Sequence, residues 1–393
     1  ARNAVVERLV GVLHVRNAAA QMKACEALAV LSARSNDNRK AITAAQAILP
    51  LVQLLGDGRR VRANTPQERA AAVLADLARL SENKETIIQT GCAGPLVAML
   101  TADSTAAQAH SASALCHLAA AAANKEMIAN SNAIEPLVNL LGCDSIEAQK
   151  SAMGALYQLA AIDKNRGAMV AAGIIPHLVT LLSSDADEAR ESAVAVLSTL
   201  ALSQGGKGNK KSIAHAGAIE PLIALLSDGS TNVQKHAACT LWSLAMGKDG
   251  VYDRHIVELG AVEPLIKILL LSHPDTCGYA AACLSCMCND EAARRRIIEG
   301  GAVDPLLTLA QGPGGWLRTQ ATEMLKLLGI PFTEPEHSSP RFQSHRGETD
   351  ARPMSATKVL PIRVKQFIDP NQENPKVGEL QTGDVAYVLE RRE

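Results

Sequence analysis

Apolar residues recur at helical spacing through the first 330 residues of the chain, in blocks separated by short polar stretches. Residues 209–246 show the pattern clearly. The spacing predicts a short helix from Asn209 to Gly217, a second helix with Pro221 in its first turn, and a longer third helix after the polar turn at 227–230. One unit of the pattern is therefore three helices.

The same pattern recurs along the chain at intervals of 40 to 45 residues. From the copy with Pro95 onwards, a glycine, or Asn132 in one copy, precedes the proline and can end the first helix in a left-handed conformation. A unit of this size cannot bury enough apolar area alone, so neighbouring units are expected to stack into one core. The recurring prolines are Pro50, Pro95, Pro136, Pro176, Pro221, Pro264 and Pro305.

We predict an all-α, right-handed solenoid over residues 1–330, with about eight three-helix units of which the first lacks its short helix. The predicted units are 1–32, 36–79, 83–120, 124–161, 165–202, 209–246, 252–288 and 291–328.

The glycine, the proline and a closing Leu-x-x-Leu-Ala phrase, as in LWSLA from Leu241, together resemble the armadillo (ARM) repeat family. The resemblance covers nearly all of residues 1–330 and implies a concave groove lined by the third helices. Two-helix HEAT repeats are the alternative, but the glycine-proline break ahead of a separate long helix favours three helices.

Peptide-binding relatives such as importin-α carry a ladder of asparagines and tryptophans on the third helices. None of the positions that match the asparagines is asparagine here, and none of those four residues earlier is tryptophan. The matching positions are Val30, Asp76, His117, Gln158, Thr199, Ser243, Cys286 and Leu327, preceded by Glu26, Ala72, Ser113, Gly154, Ala195, Cys239, Ala282 and Glu323.

The resemblance therefore predicts a shallow, polar groove that binds a helix or an extended segment of a partner protein. The partner-binding residues that we expect in it are Asp76, His110, His117, Gln158, Thr199, His236 and Ser243. The alternative surfaces are two long loops, which carry Arg59, Arg60 and Arg62, and Lys207, Lys210 and Lys211.

Charge and cysteine content narrow the partners and the compartment. A net charge of −1 provides no overall attraction to nucleic acid, and no apolar run reaches the roughly 20 residues that span a bilayer. Nine cysteines, an odd number at irregular spacing, indicate a reduced intracellular protein, cytoplasmic or alternatively nuclear. We expect a monomer, and a piece of a longer protein because the chain begins inside a unit.

Catalytic and cofactor chemistry is not predicted. Cys283, Cys286 and Cys288 have a spacing that can hold zinc, but they lie in a predicted helix that needs apolar residues there. The stretch GGKGNKKS from Gly205 lacks the glycine of a phosphate-binding loop ahead of Lys211. No nucleophile occurs with a paired base in a recognisable motif, so we expect neither enzyme activity nor a cofactor.

The last 63 residues have a different composition and contain seven of the 17 prolines. Residues 331–357 have no hydrophobic period and are expected to form a disordered linker. Residues 358–393 alternate apolar and polar positions, and the part from Lys376 to Leu389 resembles the start of a bacterial-type SH3-like barrel. Because 36 residues are too few to close such a barrel, we expect a truncated β module or a hairpin.

Three functions follow from these expectations. The first is a non-enzymatic scaffold or adaptor that binds a partner protein through the armadillo surface. The second, an importin-α-like nuclear transport adaptor, is disfavoured by the missing ladder. The third is the targeting arm of a larger enzyme such as a ubiquitin ligase.

Overall fold

A computed structural model describes residues 2–56, 58, 61–203, 207–246, 251–270, 273–312 and 315–332, which form 23 α-helices and one 3-10 helix. The expected linker beyond residue 332 and the expected β segment at 358–393 lie outside these residues, as do Arg59 and Arg60. The chain divides into two compact parts, Ala1–Pro221 and Leu222–Glu393, and each is described by itself.

The N-terminal part begins with two helices, and the helices after them follow in threes. They are α1 Arg2–Leu13, α2 Ala18–Arg34, α3 Asn36–Ala44, α4 Ile48–Leu55, α5 Pro66–Leu77, α6 Ser81–Gln89, α7 Ala93–Met99, α8 Thr105–Ala119, α9 Ala122–Asn130, α10 Ile134–Asn139 with the 3-10 helix Leu140–Gly142, α11 Ile146–Leu159, α12 Asp163–Ala171, α13 Ile174–Leu182, α14 Asp187–Ala201 and α15 Lys207–His215.

Helix α16, Ile219–Asp228, crosses the division between the two parts. The C-terminal part continues the order of short, short and long helices. Its helices are α17 Thr231–Ala245, α18 Val251–Glu258, α19 Val262–Leu269, α20 Pro274–Met287, α21 Glu291–Glu299, α22 Val303–Gln311 and α23 Trp316–Leu327. The all-α, armadillo-type solenoid predicted from the sequence is confirmed.

The recurring proline is the third residue of the second helix of each unit, from Pro50 in α4 to Pro305 in α22. Its missing N–H is harmless there, because the first backbone N–H groups of a helix have no partner within the helix. The residue two positions ahead of most of these helices is left-handed, as Gly91 is at φ 82°. Asn132 takes the same conformation at φ 60°, as expected, and Gln46 does so at φ 58° without a sequence signal that we recognised.

Side-chain hydroxyls fix the starts of several third helices. In α5, α8, α11 and α17 a serine or threonine accepts a hydrogen bond from the backbone N–H three residues later. Such a cap satisfies an otherwise free donor and contributes about 1 kcal/mol. The capping residues are Thr65, Ser104, Ser145 and Ser230.

The core of the N-terminal part lies where the third helices pack side by side, in the order α2, α5, α8, α11 and α14. Fully buried leucines recur at matching positions, and each stabilises the fold by about 1.5–3 kcal/mol relative to an exposed side chain. These leucines include Leu28, Leu74, Leu115, Leu156 and Leu197. In the C-terminal part, α17, α20 and α23 pack in series around Leu241, Leu284 and Leu325.

Asparagines near the starts of the first helices join consecutive units. The Asn83 amide donates to the carbonyl of Leu77 at 3.0 Å, and the Asn165 amide donates to that of Leu159 at 3.0 Å. Asn124 and Asn209 bind Leu118 and Leu200 in the same way. Each amide thus satisfies a carbonyl at the end of the preceding third helix, which has no partner within that helix.

Among the described helices, no single one is long and apolar enough to cross a membrane. Helices α12 and α13 meet the length and hydropathy requirements only as a pair, and that pair is bent by 88°.

Candidate functional site

Three of the expected groove residues occupy equivalent places on neighbouring helices. Asp76 lies on α5, His117 on α8 and Gln158 on α11, and these three helices pack one against the next. All three side chains are half-buried. We call this set the polar stripe.

Asp76 is held in position by its neighbours. Oδ2 accepts a hydrogen bond of 2.7 Å from the hydroxyl of buried Ser32 on α2, and Oδ1 lies 3.9 Å from Nη1 of Arg79. The side chain of Asp76 is 20% exposed. One carboxylate oxygen thus links α2 to α5, and the other faces the guanidinium group.

His117 is a neutral imidazole with an unused nitrogen. Burial lowers its pKa, and the charges of Arg79 and Lys84 lower it further, whereas Asp76 and the backbone carbonyl of Ala75 raise it. Nδ1 is buried and has no hydrogen-bond partner in the described part of the chain. Leaving a buried polar atom unpaired costs about 1–3 kcal/mol, so a bound group would recover this free energy if the half-buried ring turned to bring Nδ1 to the surface.

The amide of Gln158 has no hydrogen bond to any described residue. An amide offers two N–H donors and one carbonyl acceptor, so this side chain can pair with both polar groups of a peptide unit. Beside it on α11, Gly154 faces Cys116, and a Cβ there would lie 2.8 Å from Sγ. Helix α11 therefore packs closely on α8 beside Gln158.

His110 lies two turns before His117 on α8 and is half-buried. Burial lowers its pKa, Glu147, Glu68 and Asp76 raise it, and Arg69 lowers it. The charge of Asp76 thus raises the pKa of both histidines, which lie two turns apart on α8.

The remaining expected groove residues are less accessible. Thr199 and Ser243 are each 1% exposed, and the hydroxyl of Thr199 donates to the carbonyl of Ala195 at 2.9 Å. All of residues 193–201 are buried, so α14 is covered around its whole circumference there. Thr199 and Ser243 therefore offer no side-chain surface to a partner. A helical wheel of one unit does not reveal that these two residues are buried while the polar stripe is half-exposed. His236 is half-buried, and burial together with Lys235 lowers its pKa to about 4.

The clustered cysteines behave as small apolar residues. Cys283 is fully buried, and burial raises its pKa well above the ordinary value. Burial also raises the pKa values of Cys277 and Cys288 to about 11, and their thiols donate to the carbonyls of Ile268 and Leu284. Among the described residues no group of three or more cysteine, histidine or carboxylate side chains has the arrangement of a metal site.

An aromatic cluster of Trp242 on α17, Tyr279 on α20 and Trp316 on α23 was missed by sequence reasoning. Ring centroids are 5.7 Å apart for Trp242 and Tyr279, 4.9 Å for Tyr279 and Trp316, and 6.2 Å for the two tryptophans. Gly278 leaves room for Trp316, since a Cβ on it would lie 2.0 Å from the ring. The signal in the sequence was that both tryptophans of the chain lie on third helices.

The long loops are described only in part. Arg62 and Lys211 are exposed, and Gly58 packs so closely on Pro95 that a Cβ would lie 2.0 Å from its carbonyl oxygen. One end of the first loop is thus held against the next unit.

Several solved structures similar to this chain are engineered or designed proteins. An engineered protein is 30% identical, with a TM-score of 0.70, over 82% of this chain and 78% of that one. A designed armadillo repeat protein is 25% identical, with a TM-score of 0.54, over 59% of this chain and 98% of that one. Another, in complex with the peptide (KR)4, is 23% identical, with a TM-score of 0.52, over 59% of this chain and 98% of its own, and shows likeness of fold alone.

In the comparison with curated proteins, none matches at a significant level. The family described as the plant U-box protein ARM repeat region matches residues 4–280, which is more than half of the chain. Taken with the three-helix units, the left-handed glycines and the designed armadillo neighbours, this match shows that the chain belongs to the plant U-box protein armadillo repeat family.

Proposed function

We propose that the chain is a protein-binding scaffold and that the polar stripe of Asp76, His117 and Gln158 holds an extended segment of the partner protein. The observation that carries the proposal is the buried, unpartnered Nδ1 of His117 beside the unpaired amide of Gln158. Two hydrogen-bonding groups that the fold leaves unused, at equivalent positions on adjacent helices, fit a ligand that supplies both partners.

The spacing of the stripe suits a peptide main chain. Packed helices lie about 8–10 Å apart, and an extended chain advances about 3.3 Å per residue, so every third peptide unit would meet a new helix. The amide of Gln158 can pair with an N–H and a C=O of the peptide, and Nδ1 of His117 can accept an N–H once the half-buried imidazole turns to expose it. The partner's side chains between these contacts would set specificity.

A transport adaptor for basic signals fits the same surface less well. Arg79 and Lys84 lie close enough to His117 to lower its pKa, so a lysine-rich segment would meet like charge there. The designed neighbour in complex with the peptide (KR)4 supplies a suitable probe. Tight, salt-dependent binding of (KR)4 to the polar stripe would favour the transport function over ours.

The test is a quantitative capture of partner proteins from a plant lysate by the chain and its variants, read by mass spectrometry. We expect His117→Glu and Gln158→Glu to lose the same partner, because each adds a charge to the surface that would face the peptide. Gln89→Glu makes the same change at an exposed site on α6 and is the control. Equal capture by all variants would move binding to the loops or to the residues after 332.

The second candidate function is the targeting arm of a larger enzyme such as a ubiquitin ligase. The matched family favours it, because its description refers to an armadillo region as one part of a U-box protein. Reading the gene on both sides of this sequence tests the idea, and an adjoining catalytic domain in the same open reading frame is the expected result. If the reading frame held no catalytic domain, only the scaffold function would remain as a proposal.

A further inference from the structure

The aromatic cluster of Trp242, Tyr279 and Trp316 leaves two of its three rings partly exposed. Its ring planes are inclined to one another by 44° to 61°, so the rings do not stack into a closed slab. Trp242 and Tyr279 are half-buried, whereas Trp316 is 7% exposed and packs against Gly278. Inclined, partly exposed aromatic rings are the surface on which proline-containing extended segments dock.

We propose that residues 333–345 of this chain dock on this aromatic cluster. The segment reads TEPEHSSPRFQSH and contains Pro335 and Pro340. Proline rings are apolar and rigid, so their burial against aromatic faces releases water with little loss of conformational entropy. The occupant is thus the part of the same chain that follows α23.

The reach of the segment matches the distance that it has to cover. Helix α23 has 12 residues and is therefore about 18 Å long, with Trp316 as its first residue. The chain leaves the other end of α23 at Gly329, which is left-handed at φ 74°. In a polyproline conformation the eight residues from 333 to 340 span about 25 Å, which suffices to return along α23 and place Pro340 at the cluster.

The tether favours this occupant over a separate protein. Attachment to the same chain gives the segment an effective concentration of about a millimolar. A dissociation constant of about a millimolar is then sufficient for docking. A small number of aromatic–proline contacts can supply this affinity. The same segment would leave the cluster when a tighter ligand competes for the aromatic surface.

Tryptophan fluorescence tests the proposal directly, since the chain has only two tryptophans and both belong to the cluster. The full chain is compared with the double variant Pro335→Ser, Pro340→Ser and with the control Pro370→Ser, Pro375→Ser, which changes two prolines farther along. Docking predicts a red-shifted emission and stronger quenching by acrylamide in the first variant only. A synthetic peptide of residues 333–345, added at millimolar concentration, should reverse both changes.

Two results would overturn the proposal. Equal emission and quenching in the full chain and in the first variant would show that the segment does not cover the rings. Protection that grows with protein concentration would show that a second copy covers them instead. Circular dichroism of every variant confirms that the helices are retained, so that a change in fluorescence reports the cluster.

Discussion

The hydroxyl of Ser104 donates a hydrogen bond of 2.5 Å to Oε2 of Glu68, and its oxygen accepts the backbone N–H of Ala107. Ser104 is the N-cap of α8, and Glu68 lies in the first turn of α5, where it is 2% exposed. One side chain thus caps its own helix and pairs with a buried carboxylate of the preceding unit.

The substitution Ser104→Ala is expected to destabilise the chain by about 2–3 kcal/mol, because it removes the cap and takes from buried Glu68 the hydroxyl donor to Oε2, leaving the carboxylate only the ion pair of Oε1 with Arg69 at 3.9 Å. Urea denaturation followed by circular dichroism measures the change. Ser145→Ala is the matched control, since Ser145 caps α11 through Ala148 and no carboxylate contact is recorded for it. The control should cost about 1 kcal/mol. Equal losses would show that the contact with Glu68 contributes nothing.

Asn83→Ala should cost about 2–3 kcal/mol, because Nδ2 donates to both Leu77 O and Thr43 Oγ1 and the side chain is 2% exposed. Asn38→Ala removes one hydrogen bond, which the side-chain amide donates to the carbonyl of Leu31 from a half-buried site, and should cost about 1 kcal/mol. Thermal unfolding of the two variants ranks these losses. If Asn38→Ala were the more damaging variant, the double contact would not be what joins the units.

Gly278→Ala is expected to destabilise the C-terminal part by about 1–3 kcal/mol, since the new methyl group would lie 2.0 Å from the ring of Trp316. The tryptophan emission should change at the same time. Gly167→Ala makes the same substitution in α12 with nothing within 4 Å, and should instead stabilise the chain by about 0.5–1 kcal/mol. Opposite signs for the two variants in urea denaturation are the expected result.

His236 should make stability depend on pH. Its folded pKa is about 4, below the ordinary 6.5, because burial and the charge of Lys235 disfavour the protonated form. The unfolded chain therefore binds the proton more tightly, so the contribution is complete above about pH 6.5 and is lost as the pH falls towards 4. We expect the chain to lose about 2 kcal/mol from this group between pH 7.5 and pH 5.

The comparison with His236→Gln isolates that loss, since the carboxylates titrate equally in both proteins. Urea denaturation of each protein at pH 7.5 and pH 5 gives the difference. If both proteins lost the same stability between pH 7.5 and pH 5, the folded pKa of His236 would not be lowered and its imidazole would be solvated.

Thiol labelling at pH 8 should separate the cysteines by burial. Cys116, Cys143 and Cys286 are half-buried. Cys143 and Cys286 should react first with an alkylating reagent, and Cys116 more slowly, because burial raises its pKa to about 11. The buried thiols should react only on unfolding, because burial also raises their pKa values and leaves almost no thiolate. Mass spectrometry of the digested protein assigns the labels, and early labelling of Cys283 would contradict its burial. The slow group is Cys25, Cys92, Cys239, Cys277, Cys283 and Cys288.

Local chemistry made most of the fold predictable. Pro221 and Gly217 carry their own backbone restrictions, so the break between the first two helices of a unit could be recognised without a neighbour. Gln46 shows the limit of such signals, because its left-handed conformation at φ 58° is imposed on a residue that does not prefer it. The surrounding helices, which only the folded chain supplies, determine that conformation.

The candidate site was less predictable because accessibility depends on what packs over a helix. Asp76 and Thr199 hold matching positions in their units, yet one is half-buried and the other 1% exposed. The cluster of Trp242, Tyr279 and Trp316 joins residues one and two units apart, so it arises from helix stacking and not from any one unit.

The asparagine bridges give the chain a folding module that differs from its sequence repeat. A carbonyl at the end of a third helix accepts a hydrogen bond from the next unit's asparagine as well as from a turn N–H, as Leu118 accepts from Asn124 and from Ala121. A polypeptide cut at a repeat boundary would thus lose one of these two donors at its last long helix, whereas a cut made after the next short helix would keep both. Shortened versions of this protein should accordingly be most soluble and most cooperative when they end on a first helix.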